Sequence, residues 1–127
     1  NIKLSIKLSL DGVYIPSFNN RLNYCSIYNL PKNFKIIGSA HDLKEIRIKI
    51  LQGCKEVFLS PIFKVEKTKS FLGIVKFNLI KLKCKTNLIA LGGINQKNLK
   101  KIKNLGLKGF ASISWAKKNG LRNLRPF

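Results

Sequence analysis

The residues best suited to bind an anion are two adjacent glycines and a serine in the last third of the chain. Gly92 and Gly93 directly follow the apolar run at 88–91, and Ser114 follows another run at 110–113. Adjacent glycines let the backbone approach a ligand closely, and Asn95 is suited to open a helix whose first N–H groups attract anions. These residues predict a phosphate-binding site. A tight turn without a ligand is the alternative interpretation of the glycine pair.

A second group of polar residues follows two earlier apolar runs. Ser39 and His41, the only histidine, come after the run at 35–38, and a loop rich in lysine occupies 64–69. Histidine is the side chain most suited to proton transfer near neutral pH, and lysine is a common phosphate ligand. His41 is therefore a candidate catalytic residue, with a purely structural role as the alternative.

The elements that must position these residues alternate between short apolar runs and amphipathic segments. The runs have the length and composition of buried parallel strands and lie at 12–15, 35–38, 57–60, 88–91 and 110–113. Asp42 and Glu45 predict the start of a helix that Gly53 ends. Further helices are predicted over 95–106, over 74–84 and, from a weaker pattern, over 20–30.

Strands that alternate with helices indicate an α/β fold with a parallel sheet. Five strands in one winding order correspond to part of an eight-stranded (β/α)8 TIM barrel, and an open doubly wound sheet is the alternative. In both folds the groups that do chemistry gather at the carboxyl ends of the strands. The polar residues that follow the runs should therefore lie at one edge of the sheet.

The composition excludes several classes of protein. The 127 residues amount to one domain at most, and 45% hydrophobic residues argue against disorder in spite of a net charge of +20. No apolar run approaches the roughly 20 residues of a membrane-spanning helix and no secretion leader is visible, so we expect a cytoplasmic protein with no membrane partner. The chain has three cysteines, Cys25, Cys54 and Cys84, which have the wrong number and spacing for a disulfide framework or a zinc site. We expect all three to have a packing role only.

The chain begins with Asn1 and contains no methionine, so we expect it to be part of a longer protein. Five strands of an eight-stranded barrel would leave two strand edges and an apolar face open. We therefore expect the isolated chain to be poorly soluble or to form a homo-oligomer.

Five stretches of the chain resemble one known family in their order and spacing. They are DGVYI at 11–15, GSAHDLKE at 38–45, LSPIF at 59–63, ALGGIN at 90–95 and GFASIS at 109–114. Together they are similar to the thiamine phosphate synthase and thiazole tautomerase family. The resemblance implies a (β/α)8 barrel, of which residues 1–127 would form a single partial domain with the fourth to eighth strands.

The synthase of this family couples hydroxymethylpyrimidine diphosphate to thiazole phosphate, releases pyrophosphate and uses Mg²⁺. The resemblance implies that this chain belongs to such a transferase of thiamine biosynthesis, with Ser39, His41 and Lys69 as catalytic residues. It also implies that the phosphates of the two substrates are bound by Gly92, Gly93, Ile113, Ser114, Lys67 and Thr68.

The chain departs from the family at the expected metal ligands. Asn19 stands where the family has an acidic magnesium ligand, and Asn33 is aligned with a second acid. An amide oxygen can bind Mg²⁺, but it lacks the charge that favours the ion. Asn19 and Asn33 are therefore candidate ligands of a site whose carboxylates are absent.

Three other functions stay open. A thiazole tautomerase would use His41 as a proton shuttle without magnesium carboxylates, and a non-catalytic relative would explain the two asparagines. A protein with this charge could also bind nucleic acid through phosphates. We expect no such partner, because lysines fall on the polar faces of the predicted helices and should form solvated surface, as at Lys49, Lys76, Lys100 and Lys103.

Overall fold

Five parallel strands form one sheet in the computed structural model of the chain, which describes residues 1–22 and 29–119. Along the chain they are β1 Gly12–Ile15, β2 Lys35–Ala40, β3 Glu56–Leu59, β4 Asn87–Leu91 and β5 Phe110–Ala111. The described helices are α1 Ile2–Lys7, α2 Leu43–Leu51, α3 Gly73–Leu82, α4 Leu99–Lys103 and α5 Ile113–Asn119. Strands and helices alternate from β2 onward, which confirms the predicted α/β class.

The strands pair in their order along the chain, from β1 at one edge to β5 at the other. The register is regular, with Gly38 beside Val57 and Leu59 beside Ala90. A doubly wound sheet reverses its strand order at a switch point, and the described strands show no such reversal. The sheet is therefore built like part of a (β/α)8 barrel.

Helices cover one face of this sheet. The side chains on the covered face are buried, namely Ile15, Ile36, Ala40, Val57, Leu59, Leu88 and Ala90. They join one hydrophobic cluster with Ile46 of α2 and Phe77 of α3. The opposite face carries Tyr14, Ile37 and Phe58, which line a concavity of about 370 Å³. Side chains alternate between the faces of a strand, and in a complete barrel this second face points inward.

The ends of α2 are those that the sequence predicts. Asp42 accepts a hydrogen bond from the backbone N–H of Glu45 at 2.8 Å, which stabilises the first turn. Gly53 follows the helix with a φ of 85°, a left-handed conformation that favours glycine. Both signals act within a few residues of the helix, so they could be recognised without knowledge of the tertiary fold.

Three other boundaries differ from the prediction. The helix expected over 74–84 is α3, which ends at Leu82. The helix expected from Asn95 begins only at Leu99, because the Asn95 side chain accepts a hydrogen bond from the N–H of Lys97 at 2.9 Å in a preceding turn. The run at 110–113 was expected to be a strand throughout, but β5 ends at Ala111 and Ile113, which is 65% exposed, begins α5.

Two predictions lie outside the described residues. Most of the helix expected over 20–30 falls on 23–28, and Cys25 lies in the same stretch.

In the remainder of the chain, none of the helices combines the length and apolar character that crossing a membrane requires.

Lys49 of α2 is buried, so its expected place on a solvated helix face is wrong. Its stem lies over Gly38 of β2, where a Cβ atom would come within 2.8 Å of the Lys49 Cδ. The Nζ donates hydrogen bonds to the backbone oxygen of Asn19 at 2.7 Å and to Gln52 Oε1 at 2.9 Å. Desolvation lowers the pKa of the Lys49 ammonium from its usual 10.5, and the nearby Cys54 and Glu45 oppose that shift.

The lowered pKa of Lys49 predicts a gain in stability as the pH rises. The unfolded chain keeps the Lys49 proton up to its usual pKa of 10.5, whereas the folded chain releases it at lower pH. Between the two values the unfolded state binds more protons, so the free energy of unfolding increases with pH. We expect the free energy of unfolding of the wild type, minus that of Lys49→Met, to increase as the pH rises toward 10.5 in urea titrations.

Lys44 provides the matched control, because it lies on the same helix and is exposed. The corresponding difference for Lys44→Met should stay flat over the same range. A difference for Lys49→Met that falls or does not change with pH would contradict the buried, desolvated ammonium.

Candidate active site

The carboxyl ends of the strands bring most of the predicted site residues to one edge of the sheet. All five strands are parallel, so the segments that follow them emerge on the same side. This carboxyl edge holds Ser39 near the end of β2 and His41 just after it, the lysine loop at 64–69 after β3, Gly92 and Gly93 after β4, and Ile113 with Ser114 after β5. The structure therefore groups residues that are up to 75 positions apart, from Ser39 to Ser114.

The glycine turn, residues 92–93, is packed directly against the loop that follows β3. The N–H groups of Ile62 and Phe63 donate to the backbone oxygens of Leu91 at 3.0 Å and Gly92 at 3.1 Å. Gly93 has a φ of 69°, and a Cβ atom there would lie 2.6 Å from the Lys64 oxygen. A side chain at this position would force the two loops apart, so the glycine is required by both conformation and space.

Two asparagines and a serine hold the glycine turn in place, and Asn98 and Ser112 are not among the predicted site residues. Asn98 Oδ1 accepts from the Asn95 N–H at 2.9 Å, and Asn98 Nδ2 donates to the Gly93 oxygen at 2.9 Å. Ser112 Oγ donates to the Ile94 oxygen at 2.7 Å, which ties the segment after β5 to the same turn. The N-x-x-N spacing of Asn95 and Asn98 is the signal that could have identified the first of these contacts.

Ile113 and Ser114 lie in the first turn of α5 and are both exposed. Ser114 was expected to follow a strand directly, but the strand ends earlier and a short helix begins in its place. In barrels of this type, the loops after the last two strands and the N-terminus of a short extra helix commonly form a phosphate site. The first backbone N–H groups of such a helix are suited to bind an anion.

Ser39 is buried near the end of β2 and has a partner that the sequence did not predict. The Tyr14 hydroxyl, on the neighbouring strand β1, donates a hydrogen bond to Ser39 Oγ at 2.7 Å. Tyr14 lies beside Ile37, and Ser39 lies beside Phe58, so all four share the face that the helices leave uncovered. Only the register of the strands places Tyr14 beside Ser39.

His41 and Glu45 form a local pair at the start of α2. Glu45 Oε2 lies 3.0 Å from His41 Nδ1, and the same oxygen accepts the backbone N–H of His41 at 2.7 Å. The histidine side chain is 55% exposed and that of Glu45 is 30% exposed. The pair therefore lies at the carboxyl edge in contact with solvent.

The lysine loop projects Lys67, Thr68 and Lys69 from the surface. All three are exposed, and Thr68 Oγ1 donates to the backbone oxygen of Ser70 at 3.2 Å. Flexible, solvated ammonium groups at this position can move toward a phosphorylated ligand bound at the carboxyl edge.

The residues expected to bind Mg²⁺ do not form a magnesium site. Asn33 lies just before β2, at the amino end of the strand, whereas Ser39 and His41 lie at its carboxyl end. The backbone oxygen of Asn19 accepts a hydrogen bond from Gln52 Nε2 at 2.7 Å, just past the last turn of α2. His41 precedes the first turn of the same helix, about 13 Å away along its axis. Both side chains are neutral amides, and the Asn19 Oδ1 atom already accepts a hydrogen bond from the backbone N–H of Arg21 at 3.1 Å. This donor set does not fit the ion.

Other metal-binding arrangements are equally absent from the part of the chain that the structure describes. No group of three or more His, Cys, Asp or Glu side chains is placed there to hold a metal ion.

Two cysteines lie in the described residues, and both are packed. Cys54 is buried in the core, and Cys84 is partly buried against it. Burial raises the pKa of the Cys84 thiol, although the nearby Arg47 opposes the shift. A raised pKa leaves less thiolate at neutral pH, so Cys84 is a poor nucleophile, in agreement with the packing role expected from the sequence.

Several known proteins are similar to this chain. The thiamine-phosphate synthase of Prochlorococcus marinus is 43% identical over 83 residues, which cover 63% of this chain and 24% of that protein. The thiamine-phosphate synthase of Prochlorococcus marinus subsp. pastoris is 30% identical over 119 residues, which cover 90% of this chain and 33% of that protein. The chain thus spans less than half the length of these two curated relatives.

The fold is shared with a solved structure, the thiamine phosphate pyrophosphorylase from Pyrococcus furiosus. The two chains superpose with a TM-score of 0.68 at 18% identity, over 89% of this chain and 54% of the other. This likeness confirms the fold class predicted from the sequence.

A family model described as thiamine monophosphate synthase matches residues 1–116. The match includes every segment that the structure brings to the carboxyl edge, from Ser39 to Ser114. The chain therefore belongs to the thiamine monophosphate synthase family.

Proposed function

We propose that the protein containing this chain is a thiamine phosphate synthase, which couples hydroxymethylpyrimidine diphosphate to thiazole phosphate. The observation that carries the proposal is the glycine turn, held against the loop that follows β3 and tied by Ser112 to the segment that opens α5. This arrangement combines a close backbone approach, helix N–H groups and exposed lysines at the same edge of the sheet. It suits two phosphorylated substrates better than one uncharged substrate.

In this proposal the reaction depends on positioning and charge neutralisation. The diphosphate leaves the pyrimidine methylene carbon with the electron pair of the C–O bond, and the thiazole nitrogen attacks the resulting cation to form the new C–N bond. Gly93, Ile113 and Ser114 would hold the thiazole phosphate, and Ser39 with Lys67 or Lys69 would stabilise the departing diphosphate. Fixed donors and cations of this kind lower the barrier because they need not reorganise as charge develops.

The lysine loop offers the experiment that tests this function. We expect Lys67→Ala or Lys69→Ala to lower kcat/KM for thiamine phosphate formation roughly 10²-fold, the usual scale for losing one charge-stabilising group. Lys85→Ala is the matched control, because it removes the same charge from an exposed position before β4, at the opposite edge of the sheet. The assay measures thiamine phosphate and pyrophosphate with both substrates and Mg²⁺ supplied to the whole protein.

The comparison of the three variants separates the possible results. Equal, small losses in all three would mean that only overall charge matters and would contradict a diphosphate site at the lysine loop. A folded wild-type protein that binds thiazole phosphate and forms no product would contradict the synthase assignment itself.

A thiazole tautomerase is the second candidate function, and two observations favour it. His41 is exposed at the carboxyl edge with a carboxylate partner, and the positions expected to bind Mg²⁺ do not form a site. Such an enzyme would exchange a proton on thiazole phosphate in deuterated water without releasing pyrophosphate. The same reaction mixture therefore distinguishes the two activities.

A further inference from the structure

Glu45 makes more contacts with His41 than the start of a helix requires. In a capping box, the acidic side chain in the first turn accepts the N–H of the N-cap residue, which here is Asp42. The Glu45 carboxylate instead contacts the residue before the cap, His41, at both its backbone N–H and its ring. Asp42 already caps the helix by accepting the N–H of Glu45.

The contact at the ring determines where the imidazole proton must be. A carboxylate can only accept hydrogen bonds, so at 3.0 Å from Glu45 Oε2 the Nδ1 atom must be the one that carries a proton. In the neutral ring this leaves a lone pair on Nε2, because the two nitrogens share one proton. Nε2 has no hydrogen-bond partner among the described residues.

We propose that Glu45 is a positioning residue that fixes the orientation and tautomer of His41, so that Nε2 accepts a proton or hydrogen bond from a ligand at the carboxyl edge. The proposal rests on the proposed function only in assigning His41 a ligand there. The hydrogen bond from the backbone N–H of His41 holds the Glu45 carboxylate beside the ring, and α2 holds the Glu45 Cα. The ring therefore has a fixed acceptor beside one nitrogen and an open approach to the other.

The chain has a single histidine, which makes this proposal directly measurable. In the whole protein with the His41 ring labelled by ¹⁵N, the nitrogen shifts report which atom carries the proton once the ring is neutral. We expect the wild type to show a protonated Nδ1 and an unprotonated Nε2. Glu45→Ala should shift the population toward a proton on Nε2, and Glu45→Gln, whose side-chain oxygen can still accept, should restore much of the wild-type pattern.

Asp42→Asn is the matched control. It removes one negative charge next to His41, while asparagine still caps the helix. We expect it to leave the tautomer unchanged. Ring shifts that are the same in Glu45→Ala as in the wild type would overturn the proposal. A shift of equal size in Asp42→Asn would also overturn it, because the effect would then be one of charge alone.

The spectroscopic result does not depend on turnover, so the two proposals can fail separately. A tautomer change in Glu45→Ala together with no reaction of the wild type would retain the positioning role and reject the proposed activity. In an active protein, Glu45→Ala should lower kcat about tenfold with Glu45→Gln closer to the wild type. Should Glu45→Ala fail to fold, the comparison of Glu45→Gln with the wild type still tests whether a neutral acceptor maintains the tautomer.

Discussion

Gly93→Ala is expected to destabilise the protein by roughly 2–5 kcal/mol, through left-handed backbone strain and overpacking. A Cβ atom at this residue would lie 2.6 Å from the Lys64 oxygen and 2.8 Å from the carbonyl carbon of Phe63. These are backbone atoms, so no side-chain rotation can relieve the clash. The glycine turn and the loop after β3 would have to separate, and binding of thiazole phosphate should weaken with them.

Gly106→Ala separates the cost of the left-handed backbone from the cost of overpacking. Gly106 also has a left-handed conformation, with a φ of 60°, but a Cβ atom there would meet only Lys81 Nζ, at 3.8 Å. This variant should therefore lose only the backbone term of about 1–2 kcal/mol. Urea unfolding of both variants gives the comparison, with titration of thiazole phosphate as the second measurement. Equal losses of stability and unchanged binding would contradict the close packing of the two loops.

Phe77→Ala should cost about 3–5 kcal/mol of unfolding free energy, the range typical of a large side chain removed from a core. Phe77 is fully buried under the sheet, in the cluster that includes Val57 and Leu59. Removing the ring takes away its apolar burial and leaves a cavity that the strands above it cannot fill.

Leu79→Ala is the matched control for this effect. Leu79 lies two residues away on the same helix and is 53% exposed, so its truncation should cost less than about 1 kcal/mol. Urea unfolding compares the two variants, and an unchanged m-value shows that the shift in midpoint reports stability. A similar loss for the two would show that α3 does not present Phe77 to the core.

The features that could be predicted from the sequence are those determined within a few residues. The cap of α2 by Asp42 and its end at Gly53 are local signals, and each of the five strands overlaps one of the short apolar runs. The first helix shows the limit of such patterns. Residues 2–10 alternate apolar and polar side chains as a strand does, yet Ile2–Lys7 is helical, with Asn1 accepting the N–H of Leu4.

The features that the sequence could not reveal depend on strand register and on packing between distant segments. Tyr14 contacts Ser39 only because β1 and β2 pair in one particular register. Lys49 has the position of a surface lysine in the helical pattern, but it is buried because Gly38, on another element, leaves space for its stem. Asn33 precedes β2 and His41 follows it, so the strand between them places the two at opposite ends.

The hydrogen bonds from Ile62 and Phe63 to the glycine turn also bear on the motion of the site. Neither loop can swing outward alone without breaking two backbone hydrogen bonds, so the lowest-energy opening involves both together. A ligand that holds either loop would therefore restrain both, so the two loops respond to binding as one unit.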